Sequence, residues 1–95
     1  MPVLYGAARL AEQGYVTGGC ARNRDYLSDK AAIASSVRAG LVEVALDPQT
    51  SGGLLIAVPR TDVEKLVEEL HAGGVGTAAI VGHAVARQGV WVRLV

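Results

Sequence analysis

The sequence predicts a small α+β domain, because helical and strand-like patterns mix along its 95 residues without a regular βαβ rhythm. Three segments carry this prediction. Residues 61–72 have an apolar stripe at helical spacing, residues 53–58 form a short apolar run, and residues 90–95 alternate as a strand does. We therefore expect helices packed on a mixed or antiparallel sheet, in a single domain that spans residues 1–95.

Two helical patterns are expected in the first part of the chain. Residues 2–13 predict an amphipathic helix that Gly14 ends, since four apolar residues recur at helical spacing. These residues are Leu4, Ala7, Ala8 and Ala11. Residues 15–24 contain Gly18-Gly19 and Asn23 and predict an irregular connection, followed by a helical turn around Tyr26-Leu27.

Residues 41–46 fit two structures equally well. Val42, Val44 and Leu46 alternate as in a strand, whereas Leu41, Val42, Ala45 and Leu46 would share one face of a helix. The residue pattern by itself leaves both alternatives open.

The second half of the chain predicts strand, helix, strand and strand. Gly53–Val58 is expected to be a buried strand closed by Pro59. Thr61 and Glu64 form a capping-box pattern at the start of a helix with an apolar stripe, and Gly73-Gly74 ends that helix. The stripe consists of Val63, Leu66, Val67 and Leu70. Residues 77–86 and 90–95 are expected to pair as a hairpin across a turn at 87–89.

Composition excludes several classes of function. The net charge is zero and the charges are interspersed, which disfavours nucleic acid and anionic membranes as partners. A single cysteine permits no internal disulfide, and no Cys and His set has zinc spacing, so a cytoplasmic protein without a metal site is expected. No apolar run approaches the roughly 20 residues that span a bilayer.

The most informative stretch for function is residues 47–53, which we call the signature loop. Six of its residues are candidates for binding a cofactor: Asp47, Gln49, Thr50, Ser51, Gly52 and Gly53. The hydroxyls could donate hydrogen bonds to phosphate, the glycine amides could form an anion-binding nest, and Asp47 could orient these donors. Alternatively, the polar side chains satisfy their own turn and the glycines only permit the bend. No Lys follows the glycines, so the loop is not a Walker motif.

A second polar segment gives weaker candidates. Gly18, Gly19 and Asn23 could order a loop in which Arg22 or Arg24 pairs with an anion, or they could form an ordinary connection with solvated arginines. The nearby Cys20 is expected to be an inert apolar residue, because no His lies within local reach. No catalytic residue is assigned in the chain.

These segments together resemble the selenide, water dikinases, also called selenophosphate synthetases. DPQTSGGLL at residues 47–55 is similar to the signature of the family's C-terminal domain, and residues 4–14, 18–27 and 80–85 fit the family pattern as well. The sequence departs from that pattern at Cys20, where the family more often has Thr, and at His83, where Glu is expected.

The resemblance implies a fold, an activity and a set of partners. The fold would be most of a small α/β sandwich, the C-terminal domain of the aminoimidazole ribonucleotide synthetase-like superfamily, with a helix before the signature loop at residues 41–46. The family uses ATP, magnesium and water to convert selenide into selenophosphate, AMP and phosphate.

The family's N-terminal catalytic segment has no counterpart in the sequence. We therefore expect a chain that is inactive alone, binds no cofactor tightly, and pairs with an N-terminal domain or with a second copy as a homo-oligomer. The alternative is a non-enzymatic binding or self-assembling module with the same fold.

Overall fold

The computed structural model describes residues 1–50 and 52–95, which form two compact units. The first unit comprises Val3–Thr50 and Val85–Val95, and the second comprises Met1–Pro2 and residues 52–84. The elements are α1 (Ala7–Glu12), α2 (Gly18–Leu27), β1 (Ala31–Ile33), α3 (Ala39–Leu46), α4 (Val63–Ala72) and β2 (Val92–Leu94). Helix α4 belongs to the second unit and the other elements to the first, so the α+β class is confirmed.

Helix α3 is the centre of the first unit, and α1 packs against it. A Cβ on Gly40 would lie 2.1 Å from the carbonyl oxygen of Ala8. The backbones of α1 and α3 therefore touch at Gly40, which has no side chain to keep them apart. Arg38, the residue before α3, donates hydrogen bonds to both carboxylate oxygens of Glu12 at 2.9 and 3.1 Å. This exposed pair adds little stability, since such pairs contribute about 0–1 kcal/mol.

The core of the first unit is small. Among the described residues, the buried apolar side chains are Cys20, Val42 and Leu46, of which the last two lie on α3. Arg24 of α2 forms an ion pair with Glu43 at the edge of this core. Aromatic side chains do not anchor this core within the described residues, because Tyr26 and Trp91 are each 68% exposed.

The sheet of the first unit is parallel, which corrects the mixed or antiparallel sheet that the sequence predicts. β1 pairs with β2 in the register Ala31–Val92, Ala32–Arg93 and Ile33–Leu94. The final strand is therefore confirmed as β2, but its partner is not residues 77–86, and the hairpin prediction is wrong. Parallel pairing joins residues that are distant in sequence, and no local pattern announces it.

Lys30, the residue before β1, connects α2 to the sheet. Its carbonyl oxygen accepts hydrogen bonds from the amides of Trp91 and Val92 at 2.7 and 3.1 Å. Its ammonium group lies 4.5 Å from the centroid of the Tyr26 ring. The same group donates a hydrogen bond to the exposed Asp29, and this bond and its charge lower the pKa of the Asp29 carboxyl.

Two predictions about the first unit's helices are confirmed and one is wrong. Helix α1 ends before Gly14, which has φ 91°, and residues 41–46 lie in α3 rather than in a strand. The expected irregular connection over residues 15–24 is instead mostly α2, which begins at Gly18 and runs through Asn23 to Leu27. Gly18 and Gly19 occupy the first turn of α2.

The second unit contains the predicted helix α4, which ends before Gly73-Gly74. Its capping box is wrong: Asp62 is the N-cap residue, no side chain caps the helix, and Thr61 donates its hydroxyl proton to the Asp62 carboxylate at 3.0 Å. The predicted strands over 53–58 and 77–86 are also wrong, since neither segment is a strand in the structure. Leu54 and Leu55 are 91% and 85% exposed, so the run that we expected to be buried has no covering partner within the described residues.

No helix in the described part of the chain combines the length and the apolar character that crossing a membrane requires.

Substituting Gly40 tests the α1–α3 contact. Gly40→Ala should lower the free energy of unfolding by about 1–3 kcal/mol, because the added methyl group must push the Ala8 carbonyl away and this outweighs the better helix propensity of Ala. Urea denaturation followed by circular dichroism measures the change. Gly73→Ala is the matched control, because a Cβ there meets its nearest atom at 3.4 Å. Equal effects at the two positions would contradict the close helix contact.

Candidate functional site

The first residues of the signature loop form a corner at the end of α3. Asp47 is the C-cap residue of this helix and has an extended backbone, with φ −66° and ψ 128°. Pro48 accounts for this conformation, because its ring excludes the helical region for the residue before it. The amide of Gln49 then donates a hydrogen bond to the carbonyl of Asp47 at 2.8 Å. The turn that follows the helix is therefore defined by Asp47 and Pro48, which we call the signature corner.

The carboxylate of Asp47 lies at the amino-terminal end of α2. Its Oδ1 atom accepts hydrogen bonds from the hydroxyl of Thr17 at 3.3 Å and from the thiol of Cys20 at 3.5 Å. Thr17 is the N-cap residue of α2, yet its side chain makes no cap hydrogen bond to the helix. Because helix N-termini favour negative charge, Asp47 stabilises α2 from a distant position in the sequence, by about 0.3–1 kcal/mol.

Two further contacts hold the signature corner against α2. A Cβ on Gly19 would lie 2.3 Å from Cγ of Pro48, so glycine is required there for the ring to reach the helix. The side-chain amide of Asn23 donates a hydrogen bond to the carbonyl of Leu46 at 2.7 Å and so satisfies one of the free carbonyls at the end of α3. The two polar segments that the sequence singled out separately are therefore joined in the structure.

The other described residues of the signature loop face solvent. Gln49, Thr50, Gly52 and Gly53 are exposed, and Thr50 makes no side-chain hydrogen bond within the described residues. A Cβ on Gly52 or on Gly53 would find no atom within 4 Å among the described residues. Ser51 lies outside the described residues. The boundary between the two units falls within the loop, with Thr50 in the first and Gly52 in the second.

The remaining candidates have separate surroundings. Arg24 is neutralised by Glu43, whereas the neighbouring Arg22 is exposed. In the second unit, a ring nitrogen of His71 lies 2.8 Å from the carbonyl oxygen of Ala78, and His83 is exposed. No group of three or more metal-ligating side chains occurs among residues 1–50 and 52–95.

The sequence did not predict that Thr17 and Cys20 would donate hydrogen bonds to Asp47, or that Pro48 would pack against Gly19. Cys20 is 2% exposed, which agrees with its interpretation as an apolar residue, but its thiol also donates to Asp47. A crevice of about 190 Å³ beside α2 is lined by Leu27, Ile33, Leu46 and others, not by the signature corner. A Thr followed by Gly-Gly is itself a weak N-cap signal that could have indicated a helix start at Gly18.

Comparison with known proteins finds selenide, water dikinases among the relatives of this chain. The chain is 41% identical over 90 residues to the selenide, water dikinase of Agathobacter rectalis, covering 95% of this chain and 26% of that protein. It is 39% identical over 88 residues to that of Caldanaerobacter subterraneus and 33% identical over 85 residues to that of Clostridioides difficile, covering 93% and 90% of this chain. These matches cover 25% and 24% of the respective relatives. No protein-family model and no solved structure matches the chain.

The chain is thus a small α+β segment in which the signature corner packs against helix α2. Its sequence is related to those of a family of dikinases. The resemblance to the selenide, water dikinases is confirmed, and the chain spans about a quarter of the length of the curated relatives that it matches.

Substituting Gly19 tests the docking of the signature corner. Gly19→Ala should displace Pro48 and lower the free energy of unfolding by about 1–3 kcal/mol, because the methyl group cannot share space with the proline ring. Amide chemical shifts of Gln49 and Thr50 should change with it. Gly18→Ala is the matched control in the same helical turn, since its Cβ meets only the Arg22 guanidinium at 3.7 Å. If Gly18→Ala shifts these amides as much as Gly19→Ala, the docking is contradicted.

Proposed function

We propose that the chain forms most of the C-terminal domain of a selenide, water dikinase and supplies one wall of its nucleotide site. The identity to named selenide, water dikinases over 90% or more of the chain supports the family part of this proposal. The groups that perform the chemistry would lie elsewhere in the enzyme, since the family's reactive cysteine or selenocysteine, its lysine and its aspartates have no counterpart here. Cys20 is a buried structural thiol and is not that cysteine.

The observation that carries the wall assignment is the contrast within the signature loop. Asp47 and Pro48 are held by Thr17, Gly19 and Cys20, whereas Thr50 is exposed with its hydroxyl unused within the described residues. A binding wall needs fixed anchoring residues next to free donors, and this loop has both. We infer that Asp47 and Asn23 position the loop, and that Gln49 and Thr50 contact the phosphates of ATP.

The open space at Gly52 and Gly53 supports the same role. No described neighbour requires either residue to be glycine, because an added Cβ would meet no described atom within 4 Å. A ligand that approaches the backbone closely would supply the missing reason for glycine at these two positions. Ser51 is proposed as a further donor on the strength of the family signature alone. Magnesium would be held by the phosphates and by the other domain, and the free thiol fits a cytoplasmic enzyme.

A chimeric enzyme tests the proposal. The matching segment of the Agathobacter rectalis enzyme is replaced by this chain, and selenide-dependent formation of AMP is measured. The chimera should be active, and Thr50→Ala within it should lower kcat/KM for ATP by roughly tenfold, the effect of one lost hydrogen bond to a charged group.

Two controls make this test specific. Thr77→Ala changes another exposed threonine of the chain and should leave the rate unchanged. The isolated 95-residue chain should form no AMP and should show no tight binding of magnesium–ATP in isothermal titration. Equal rates for Thr50→Ala and Thr77→Ala would refute the wall assignment, and turnover by the isolated chain would refute the assignment of the chemistry to another domain.

A further inference from the structure

We propose that Thr17 is a positioning residue of the nucleotide site, because its hydroxyl is the stronger of the two donors that hold Asp47 at the start of α2. This role rests on the proposed function, in which the residues after Asp47 contact ATP. Thr17 lies outside the signature loop, 30 positions before Asp47.

Thr17 does not perform the usual task of a threonine before a helix. It is the N-cap residue of α2 and has the extended backbone of that position, with φ −87° and ψ 155°. Its carbonyl accepts a hydrogen bond from the amide of Cys20 at 3.0 Å, so the main chain is in place for capping. The hydroxyl nevertheless makes no cap hydrogen bond and donates to Oδ1 of Asp47 at 3.3 Å. The side chain of Thr17 therefore holds the signature corner and does not cap the helix.

Cys20 is the second donor to Asp47, and it cannot replace Thr17. Its Sγ atom lies 3.5 Å from the same Oδ1 atom, but also 3.9 Å from the carbonyl oxygen of Glu43 and 3.5 Å from the hydroxyl oxygen of Thr17. A thiol has one proton and is a weak donor, whereas a hydroxyl that donates to a carboxylate makes a charge-assisted hydrogen bond. No ion pair holds Asp47 within the described residues. The orientation of the Asp47 carboxylate therefore depends mainly on the hydroxyl of Thr17.

The contact acts on the nucleotide site through the short turn that follows Asp47. The carbonyl of Asp47 accepts a hydrogen bond from the amide of Gln49 at 2.8 Å, and Thr50 is the next residue. Without the Thr17 hydroxyl, the Asp47 side chain gains rotamers and the turn is less fixed relative to α2. Gln49 and Thr50 must then be ordered when ATP binds, which costs binding free energy without changing the chemical step. Loss of the hydroxyl should therefore raise KM for ATP and leave kcat almost unchanged.

Three variants separate this role from helix capping. Thr17→Val removes the hydroxyl and keeps the branched shape, and Thr17→Ser keeps the hydroxyl. The double variant Thr17→Val/Cys20→Ser places a hydroxyl at position 20, beside the same Oδ1 atom and with almost the shape of the thiol. Position 20 lies inside α2 and cannot be its N-cap, so rescue by the double variant depends on the contact with Asp47 alone.

The first measurement follows the amide chemical shifts of Gln49 and Thr50 in the 95-residue chain without nucleotide. Thr17→Val should displace both signals, and Thr17→Ser and the double variant should return them toward their original positions. In an Asp47→Ala background, Thr17→Val should have no further effect on these signals, since its partner is already absent. Thr77→Val changes another exposed threonine and is the matched control. Circular dichroism verifies that each variant keeps its helix content.

The second measurement is made in the chimera that carries this chain in place of the Agathobacter rectalis segment. Thr17→Val should raise KM for ATP by about three- to tenfold, the effect of one or two side chains that must be ordered on binding, with kcat within about twofold. Thr17→Ser and the double variant should restore KM. A change that only lowered the amount of folded enzyme would reduce the apparent kcat instead and leave KM unchanged.

Displaced amide signals with a raised KM, both restored by the double variant, support the proposal. Unmoved signals, an unchanged KM, or rescue by Thr17→Ser without rescue by the double variant overturn it.

Thr50→Ala separates this proposal from the wall assignment. If Thr50→Ala lowers kcat/KM for ATP while Thr17→Val does not raise KM, Thr17 is not a positioning residue and the wall assignment stands. If Thr50→Ala has no effect while Thr17→Val still displaces the amide signals, the wall assignment fails and the positioning role fails with it.

Discussion

The first unit depends on how closely helix α3 can be approached by its neighbours. At one end of α3, Gly40 lets the backbone of α1 come into contact. At the other end, Gly19 of α2 makes room for Pro48. The chain has no Phe and few buried side chains, so close backbone contact replaces the large apolar side chains that usually fill a core. These two glycine contacts set how closely α1 and the signature corner approach their neighbouring helices.

The candidate site is a consequence of the second contact. Once Pro48 rests on Gly19, the carboxylate of Asp47 comes within reach of Thr17 and Cys20 at the start of α2. A favourable interaction with the helix N-terminus then holds the signature corner without a ligand. Asp47 thus has a structural task in the chain itself, and the exposed Gln49 and Thr50 remain free to contact something else. This division between anchored and free residues is typical of a binding wall that is formed in advance.

The second unit differs from the first in how many of its large apolar side chains are exposed. Helix α4 has an apolar stripe of partly covered residues, but the segments on either side of it expose several large apolar side chains. The relatives are about four times as long as this chain. These exposed apolar side chains have no covering partner within the described residues. Exposed apolar surface of this extent is uncommon on a protein that acts as a free monomer.

The sequence by itself determined the features that depend on local periodicity or on a family signature: helices α1, α3 and α4, the final strand, and the relation to selenide, water dikinases. It did not predict α2, because Gly18 and Gly19 suggested a break, and it could not predict that β2 pairs with β1 rather than with residues 77–86. The tertiary structure alone decided that Asp47 reaches Thr17 and Cys20, and that Asn23 reaches Leu46. The physical reason is that these contacts join residues more than 20 positions apart, and their energy depends on the packing of α2 against α3 rather than on any pattern within either helix.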